Sequence, residues 1–273
     1  MDSMADLHVH STASDGKYTP TNIVALAASL GLSTIALTDH DTVDGLREAQ
    51  AAGSLCGVQI VPGIELSTEH KGTEVHVLGY FIQPQRGALS AKLRQLRAAR
   101  HRRAVEILRR LQSLGLPLSW DQIRNHLAGD VVGRPHIARA LVNVGYVQSV
   151  QEAFDRYLKQ GRPAYVPRYK LTPLQAIKLV HQSKGAAVLA HPGTLSDPSS
   201  LETLLELDWQ GIEVFHPDHS DQVTAVLQHI APKRNLVCTG GSDFHGNNLV
   251  GRNLGACTVN NAAVEALRRR CRF

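Results

Sequence analysis

The stretch Asp6-Leu7-His8-Val9-His10-Ser11 decides how the rest of this chain is read. Its apolar and β-branched residues suit a strand, and strand alternation puts His8 and His10 on the same side. Asp15 follows in the turn. Similar endings recur at Leu37-Thr38-Asp39-His40-Asp41, Gly63-Ile64-Glu65, Glu74-Val75-His76, Ala190-His191-Pro192 and Ser242-Asp243-Phe244-His245. Short apolar or β-branched runs at 5–9, 34–37, 58–64, 74–81, 186–190, 211–215 and 235–239 read as strands. Helical patterns lie at 20–30, 46–56, 173–184, 199–207 and 221–230, with Thr19-Pro20 and Thr172-Pro173 as capped starts. Alternating strands and helices imply parallel strands and an α/β fold, and seven such strands suit a closed barrel. A lone histidine near a strand end is ordinarily just packed or hydrogen-bonded. Recurrence at strand after strand is different, because the C-terminal ends of parallel barrel strands converge on one face.

Composition narrows the class. The chain has 273 residues, 43% hydrophobic and 19% charged, an ordinary globular balance with room for a sizeable core. The longest apolar stretch, 23–37, is broken by Ser29, Gly31, Ser33 and Thr34 and is too short to span a bilayer. The opening MDSMADLHVHST has no apolar signal core, so a cytoplasmic protein without membrane attachment is expected. Cys56, Cys238, Cys257 and Cys271 lie far apart with no CxxC spacing, which disfavours a disulfide framework or a thiolate zinc site. Histidine is what stands out: there are 14, against 5 Phe and 2 Met.

Residues 84–167 interrupt the alternation. They show no strand pattern but carry helices, the clearest with Leu93, Leu96, Ile107, Leu108, Leu111 and Leu114 on one stripe, ended by Gly115-Leu116-Pro117. Residues 84–170 hold 17 of the 29 basic residues and only 5 of the 24 acidic ones, so the remainder is net acidic although the whole chain is +5. An Arg-rich helix is on its own only a solvated face. The asymmetry nevertheless predicts two parts, an acidic barrel (1–83 and 168–273) able to hold cations and a basic helical insertion (84–167) able to hold an anion.

Six histidines (8, 10, 40, 76, 191, 245) and three carboxylates (Asp15, Glu65, Asp243) would then surround one cavity. This mixture without cysteine suits Mn, Fe or Zn and is too rich in nitrogen for Mg or Ca. Nine ligands exceed the need of one ion, so two or three divalent ions are expected, with Glu65 a natural bridge. Structural zinc sites close on four ligands, so the surplus favours catalysis. Neighbouring ions generate hydroxide at neutral pH and clamp a phosphoryl group.

These motifs, in this order from residue 8 to residue 245, resemble the PHP (polymerase and histidinol phosphatase) family. The resemblance implies a distorted (β/α)7 barrel, a trinuclear metal centre and phosphate-ester hydrolysis. Carried over by position, it places His8, His10, Glu65 and Asp243 on one ion. Asp15, His40 and His245 fall on a second, sharing Glu65, with His76 and His191 on the third. Many members have histidine where this chain has Asp15. Catalytic roles go to Glu65, Asp243 and His245, and Asp39 reads as a partner orienting a ligand imidazole.

Ser14-Asp15-Gly16, the helical insertion and Gly133-Arg134-Pro135-His136 resemble the 3′,5′-nucleoside bisphosphate phosphatases, whose relatives include 5′-to-3′ exoribonucleases on short RNA. Arg134 suits bidentate phosphate recognition, and His136 could add a donor. His216 and His219 follow the sixth strand onto the same face, His219 being the candidate substrate contact. Tyr165, Arg168 and Lys170 are weaker candidates, and His126 has no assigned role. The expected function is a manganese-dependent phosphatase that removes the 3′-phosphate of a nucleoside 3′,5′-bisphosphate, with Zn or Fe as other metals. No obligate protein partner is implied. The alternatives are a 5′-to-3′ oligonuclease on short 5′-phosphorylated RNA, or a non-catalytic, metal-stabilised module.

Overall fold

The computed structural model describes residues 4–84, 87–124, 132–167, 169–246 and 251–271. The chain divides into two compact units, Met1–Ala91 with Lys170–Phe273, and Lys92–Tyr169.

The first unit is built on strands β1 (Met4–Val9), β2 (Thr34–Leu37), β3 (Gln59–His70), β4 (Thr73–Tyr80), β5 (Ala186–Leu189), β6 (Gly211–Phe215), β7 (Val237–Gly240) and β8 (Val259–Asn260). Their order across the sheet is β7-β6-β5-β4-β3-β2-β1-β8. The triplets β1–β3 and β5–β7 are parallel, as the alternation predicts. β4 departs from the expected parallel barrel, because it runs antiparallel to both β3 and β5. The cause is local. Lys71 and Gly72 turn the chain with positive φ at both positions (49° and 87°), the geometry of a two-residue hairpin loop. β3 therefore runs on to His70 through a polar hairpin that the apolar run at 58–64 did not reveal. β8 and the last helix, α10 (Asn261–Arg269), lie beyond the expected elements.

The helices α1 (Pro20–Ser29), α2 (Leu46–Cys56), α7 (Pro173–Gln182), α8 (Ser200–Leu204) and α9 (Asp221–Lys233) fill the connections. Thr19 and Thr172 accept from the backbone amides of Asn22 and Gln175, so both expected caps are formed. Buried Ala5, Leu7, Ala36, Val61, Leu78, Tyr80, Val188 and Val237 join α10 in one core cluster.

The ends of the sheet meet through the segment after β7. The Phe244 carbonyl accepts from the His10 amide at 2.9 Å, and Val9 and Phe244 form a parallel bridge. Buried Asp6 takes the Ser242 amide (2.9 Å), the Ser242 hydroxyl (2.6 Å) and the Gly255 amide (2.8 Å). The sheet thereby becomes a nearly closed, distorted barrel. No helix of the described residues is long and apolar enough to cross a membrane.

The regular secondary structure described in the second unit is all helical: most of α3 (Ala88–Ser113), then α4 (Trp120–Arg124), α5 (Arg134–Asn143), α6 (Val150–Ala153) and a π-helical turn at Phe154–Leu158. It has its own core around Ile107, Leu111, Ile137, Leu141 and Leu158. Leu93, Leu96, Ile107 and Leu111 of the sequence stripe are buried. Leu114 lies past the helix end and is exposed, because Gly115 turns the chain there with φ 78°.

Barrel closure depends on Gly241, where an added Cβ would lie 2.3 Å from the His8 nitrogen and 2.4 Å from its Cβ. Backbone cannot yield as a side chain can. We expect Gly241→Ala to cost about 1–3 kcal/mol or more of stability and to displace His8. Denaturant titration with metal analysis checks this, and unchanged stability and metal content would refute it.

Candidate metal centre

Glu65 sits at the end of the apolar part of β3 and is almost wholly buried. Its Oε2 lies 3.2 Å from His8 Nε2, 3.2 Å from His10 Nε2 and 3.0 Å from His40 Nδ1. Its Oε1 lies 2.7 Å from His76 Nδ1 and 3.1 Å from His191 Nε2. One carboxylate thus faces five imidazoles. His76 reaches it from near the start of β4, because antiparallel pairing sets Ser67 of β3 opposite His76.

All nine expected ligands fall into overlapping groups of metal-ligating atoms. His10, Asp15, His40 and His245 form one, and His8, His10 and Asp243 another. His191 groups with His8 and Glu65, and His76 with His40 and Glu65, so these two share the carboxylate rather than a group of their own. A further group joins His8 to Glu213 and His216.

Hydrogen bonds sort the ring nitrogens. A carbonyl can only accept, so His245 must donate from Nδ1 to the Asp243 carbonyl at 2.8 Å. The Thr194 hydroxyl donates to the His191 carbonyl, leaving its oxygen to accept from His191 Nδ1 at 2.9 Å. His8 Nδ1 lies 3.0 Å from the Glu213 carboxylate and donates to it. In each case Nε2 keeps its lone pair for the centre, the arrangement that ligand imidazoles require.

His8 Nε2, both ring nitrogens of His10, His40 Nδ1 and Glu65 Oε2 are buried without a hydrogen bond. Polar atoms left unpaired cost about 1–3 kcal/mol each. Converging lone pairs of nitrogen and carboxylate oxygen fit divalent metal ions. His191 and Asp243 also hold backbone with positive φ (24° and 51°), a strain that a surrounding structure must impose.

Charge tells the same story. Burial pushes His10 down, but Asp243 and Glu65 beside it outweigh this and raise its pKa to about 10. Burial also opposes His76, yet Glu65 raises it to about 10. His40 is pushed to about 4 by burial, with His10 adding to the effect against Glu65. Burial would raise the Glu65 and Asp243 carboxyls, but the surrounding imidazoles hold both well below the carboxylate range.

Asp39 differs from its expected role. Its carboxylate takes the Ser11 amide (2.7 Å), the Ser11 hydroxyl (2.8 Å) and the Ser14 hydroxyl (2.6 Å), fixing the turn that presents Asp15 rather than an imidazole. The imidazole-orienting acid is Glu213, which sequence reasoning missed. Its signal was an acid inside the apolar run Gly211-Ile212-Glu213-Val214-Phe215, where a buried charge needs a partner. Arg252, paired with Asp243 and Asp218, was also missed and had no local signal. His219 does not suit its expected substrate contact. Its Nδ1 donates to the Val214 carbonyl (2.8 Å) and its Nε2 accepts the Gly193 amide (3.1 Å), so both nitrogens are engaged by backbone.

Within the inserted unit, Arg134 is the first residue of α5, and its guanidinium lies over the Phe154 and Tyr165 rings while donating to the Leu158 carbonyl. His136 Nδ1 accepts the Gly133 amide at 3.0 Å. Arg100, Arg103 and Arg134 line one cavity of about 40 Å³. Lys170 pairs with Glu69. Arg168 and His126 lie outside the described residues.

Residues 6–165 match the PHP domain. A 5′-3′ exoribonuclease of Haemophilus influenzae is 35% identical over 245 residues, 88% of this chain and 89% of that protein. A 3′,5′-nucleoside bisphosphate phosphatase of Chromobacterium violaceum is 35% identical over 257 residues, 92% of this chain and 90% of its own. A crystal structure of a candidate metal-dependent phosphoesterase from Bifidobacterium adolescentis superposes with a TM-score of 0.85 at 30% identity, covering 98% of this chain and 96% of that one. A distorted barrel with this histidine–carboxylate cluster defines a metal-binding phosphoester hydrolase. The chain belongs to the PHP domain family.

Raised imidazole pKa values give a signed expectation for the metal-free protein. His10 and His76, at about 10, add stability that is fully present below the ordinary histidine value and is lost as pH rises through 10. The depressed groups act only on the acid side. Metal-stripped protein should therefore lose melting temperature between pH 6.5 and 10, whereas metal affinity should rise over that range as protons leave the rings. Thermal melts with and without chelator check both, and a flat metal-free profile would refute them.

Proposed function

We propose that the chain removes the 3′-phosphate from nucleoside 3′,5′-bisphosphates, giving the 5′-monophosphate. The observation that carries this is the convergence of Arg100, Arg103 and Arg134 on one cavity of the inserted unit, which gives that unit a cationic site of its own. Two phosphates on one nucleotide repel each other, so they call for two distinct sites. The phosphatase relative, similar over nearly the full chain, supports the same substrate class.

In this scheme the six histidines with Asp15, Glu65 and Asp243 hold two or three divalent ions, manganese foremost, with Zn or Fe as other candidates. Such ions, when bound, supply a nucleophilic hydroxide at neutral pH and neutralise phosphoryl oxygens. Glu65 holds five imidazoles between 2.7 and 3.2 Å from its oxygens. Glu213 and Thr194 aim His8 and His191 at the centre. Asp243 and His245 complete the side of the cluster brought by the segment after β7. Arg134 and His136, on the first turn of α5, receive the second phosphate.

A second reading, 5′-to-3′ cleavage of short 5′-phosphorylated RNA, draws support from the exoribonuclease relative at equal identity. Phosphate release from a 3′,5′-bisphosphonucleotide, compared with mononucleotide release from a 5′-phosphorylated oligoribonucleotide, separates the two. We expect the bisphosphate to give the higher kcat/KM, and the reverse order would favour the ribonuclease.

Arg134→Ala should leave metal content unchanged. A charge-assisted phosphate contact is worth about 1.5–3 kcal/mol, so kcat/KM for the bisphosphate should fall about ten- to a hundredfold. A nucleoside 3′-monophosphate should be nearly indifferent to the change. Equal loss on both substrates would place Arg134 at the scissile phosphate instead.

A further inference from the structure

His216 stands on the segment after β6 and is 4% exposed, with its ring on the wall of a cavity of about 170 Å³ that Glu65, His191 and Asp243 also line. Its place in a group with His8 and Glu213 makes it, by distance alone, one more metal ligand. Hydrogen-bond direction argues otherwise. The Asp218 backbone amide lies 3.1 Å from His216 Nδ1, and an amide can only donate. Nδ1 therefore carries its lone pair toward Asp218, and the neutral ring carries its hydrogen on Nε2. This is the reverse of His8, His191 and His245, which spend an Nδ1 hydrogen on an acceptor and keep Nε2 bare.

His216 Nε2 is buried and makes no hydrogen bond. The acceptor nearest to it among the ion pairs, Asp243 Oδ2, is 3.6 Å away, too far for a hydrogen bond, and it accepts from Arg252 instead. Arg252 also grips the Asp218 carboxylate, so one guanidinium fixes both the loop that orients the ring and the acid beside it. A buried N–H held in one direction, on a cavity wall, and without an acceptor calls for an acceptor on the ligand.

We propose that His216 is a fixed N–H donor to a phosphoryl oxygen of the bound phosphoester and not a metal ligand, a step that rests on the phosphoester-hydrolase reading but on neither particular substrate. A preorganised donor of this kind stabilises charge that grows on the phosphoryl oxygens without having to reorient.

The test uses the metal-loaded protein with His216→Leu and His216→Phe, two apolar replacements of different shape, and His216→Gln, whose amide nitrogen can reach the Nε2 position. Both apolar variants should keep the parental metal stoichiometry. Their kcat/KM should fall at least tenfold, and binding of inorganic phosphate, read directly by titration calorimetry, should weaken by a similar factor. His216→Gln should recover most of both. Loss of a metal ion in the apolar variants would make the ring a ligand and overturn the proposal. Parental kcat/KM together with parental phosphate affinity would overturn it as well. Phosphate affinity and metal content are read whether or not the parent turns over a phosphoester. A parent without any such activity would therefore sink the functional reading while leaving the role of His216 decided by binding.

Discussion

The whole first unit is arranged around a carboxylate that could not be buried alone. An isolated ionised Glu65 in the barrel would carry a large desolvation penalty, and five separate imidazoles crowded together would repel any shared positive charge. Each solves the problem of the other. Because the five rings come from β1, the end of β2, β4 and the end of β5, the contact to Glu65 also sets the spacing of those strand ends. The balance is incomplete without cations: the rings of His8, His10 and His76 are pushed toward holding protons, and several lone pairs find no donor.

Main-chain groups decide which chemistry each ring offers. A carbonyl beside Nδ1 leaves Nε2 of His245 bare, whereas an amide beside Nδ1 puts the hydrogen of a neutral His216 ring on Nε2. Identical side chains in one cluster thus present opposite faces to it, and proximity alone does not distinguish them. The two arginine settings differ in a comparable way. Arg252 is committed to Asp218 and Asp243 and stiffens the cluster, while Arg134 lies on aromatic rings beside the cavity of the inserted unit.

Much of this was legible because histidines and carboxylates at strand ends leave a mark in linear sequence. His8 and His10 advertise a shared face by their spacing, and the later ligands recur at the expected places between apolar runs. Direction was harder to see. Lys71-Gly72 is an unremarkable pair, yet it reverses β4, and only pairing with β3 shows that His76 reaches the cluster from a strand running the other way. The roles of Asp39, His219 and His216 depended on which backbone group each would meet after folding. Spacing carries no such information. Arg252 lies outside any strand motif, and its partners come from two different loops.

The fastening of β1 by Asp6 has a consequence for how the chain is made. Its partner Ser242 is 236 residues further along, and the Phe244 carbonyl that engages the His10 amide lies beyond that. A ribosome adding about 5–20 residues per second presents His8 and His10 many seconds before the other half of their cage exists. During that interval the first strand has neither its edge partner nor the acid that completes its ligand group. Ion capture by the full cluster is thereby deferred until residues 242–245 have been synthesised, so the first strand waits for the seventh before it can hold a metal ion in its finished setting.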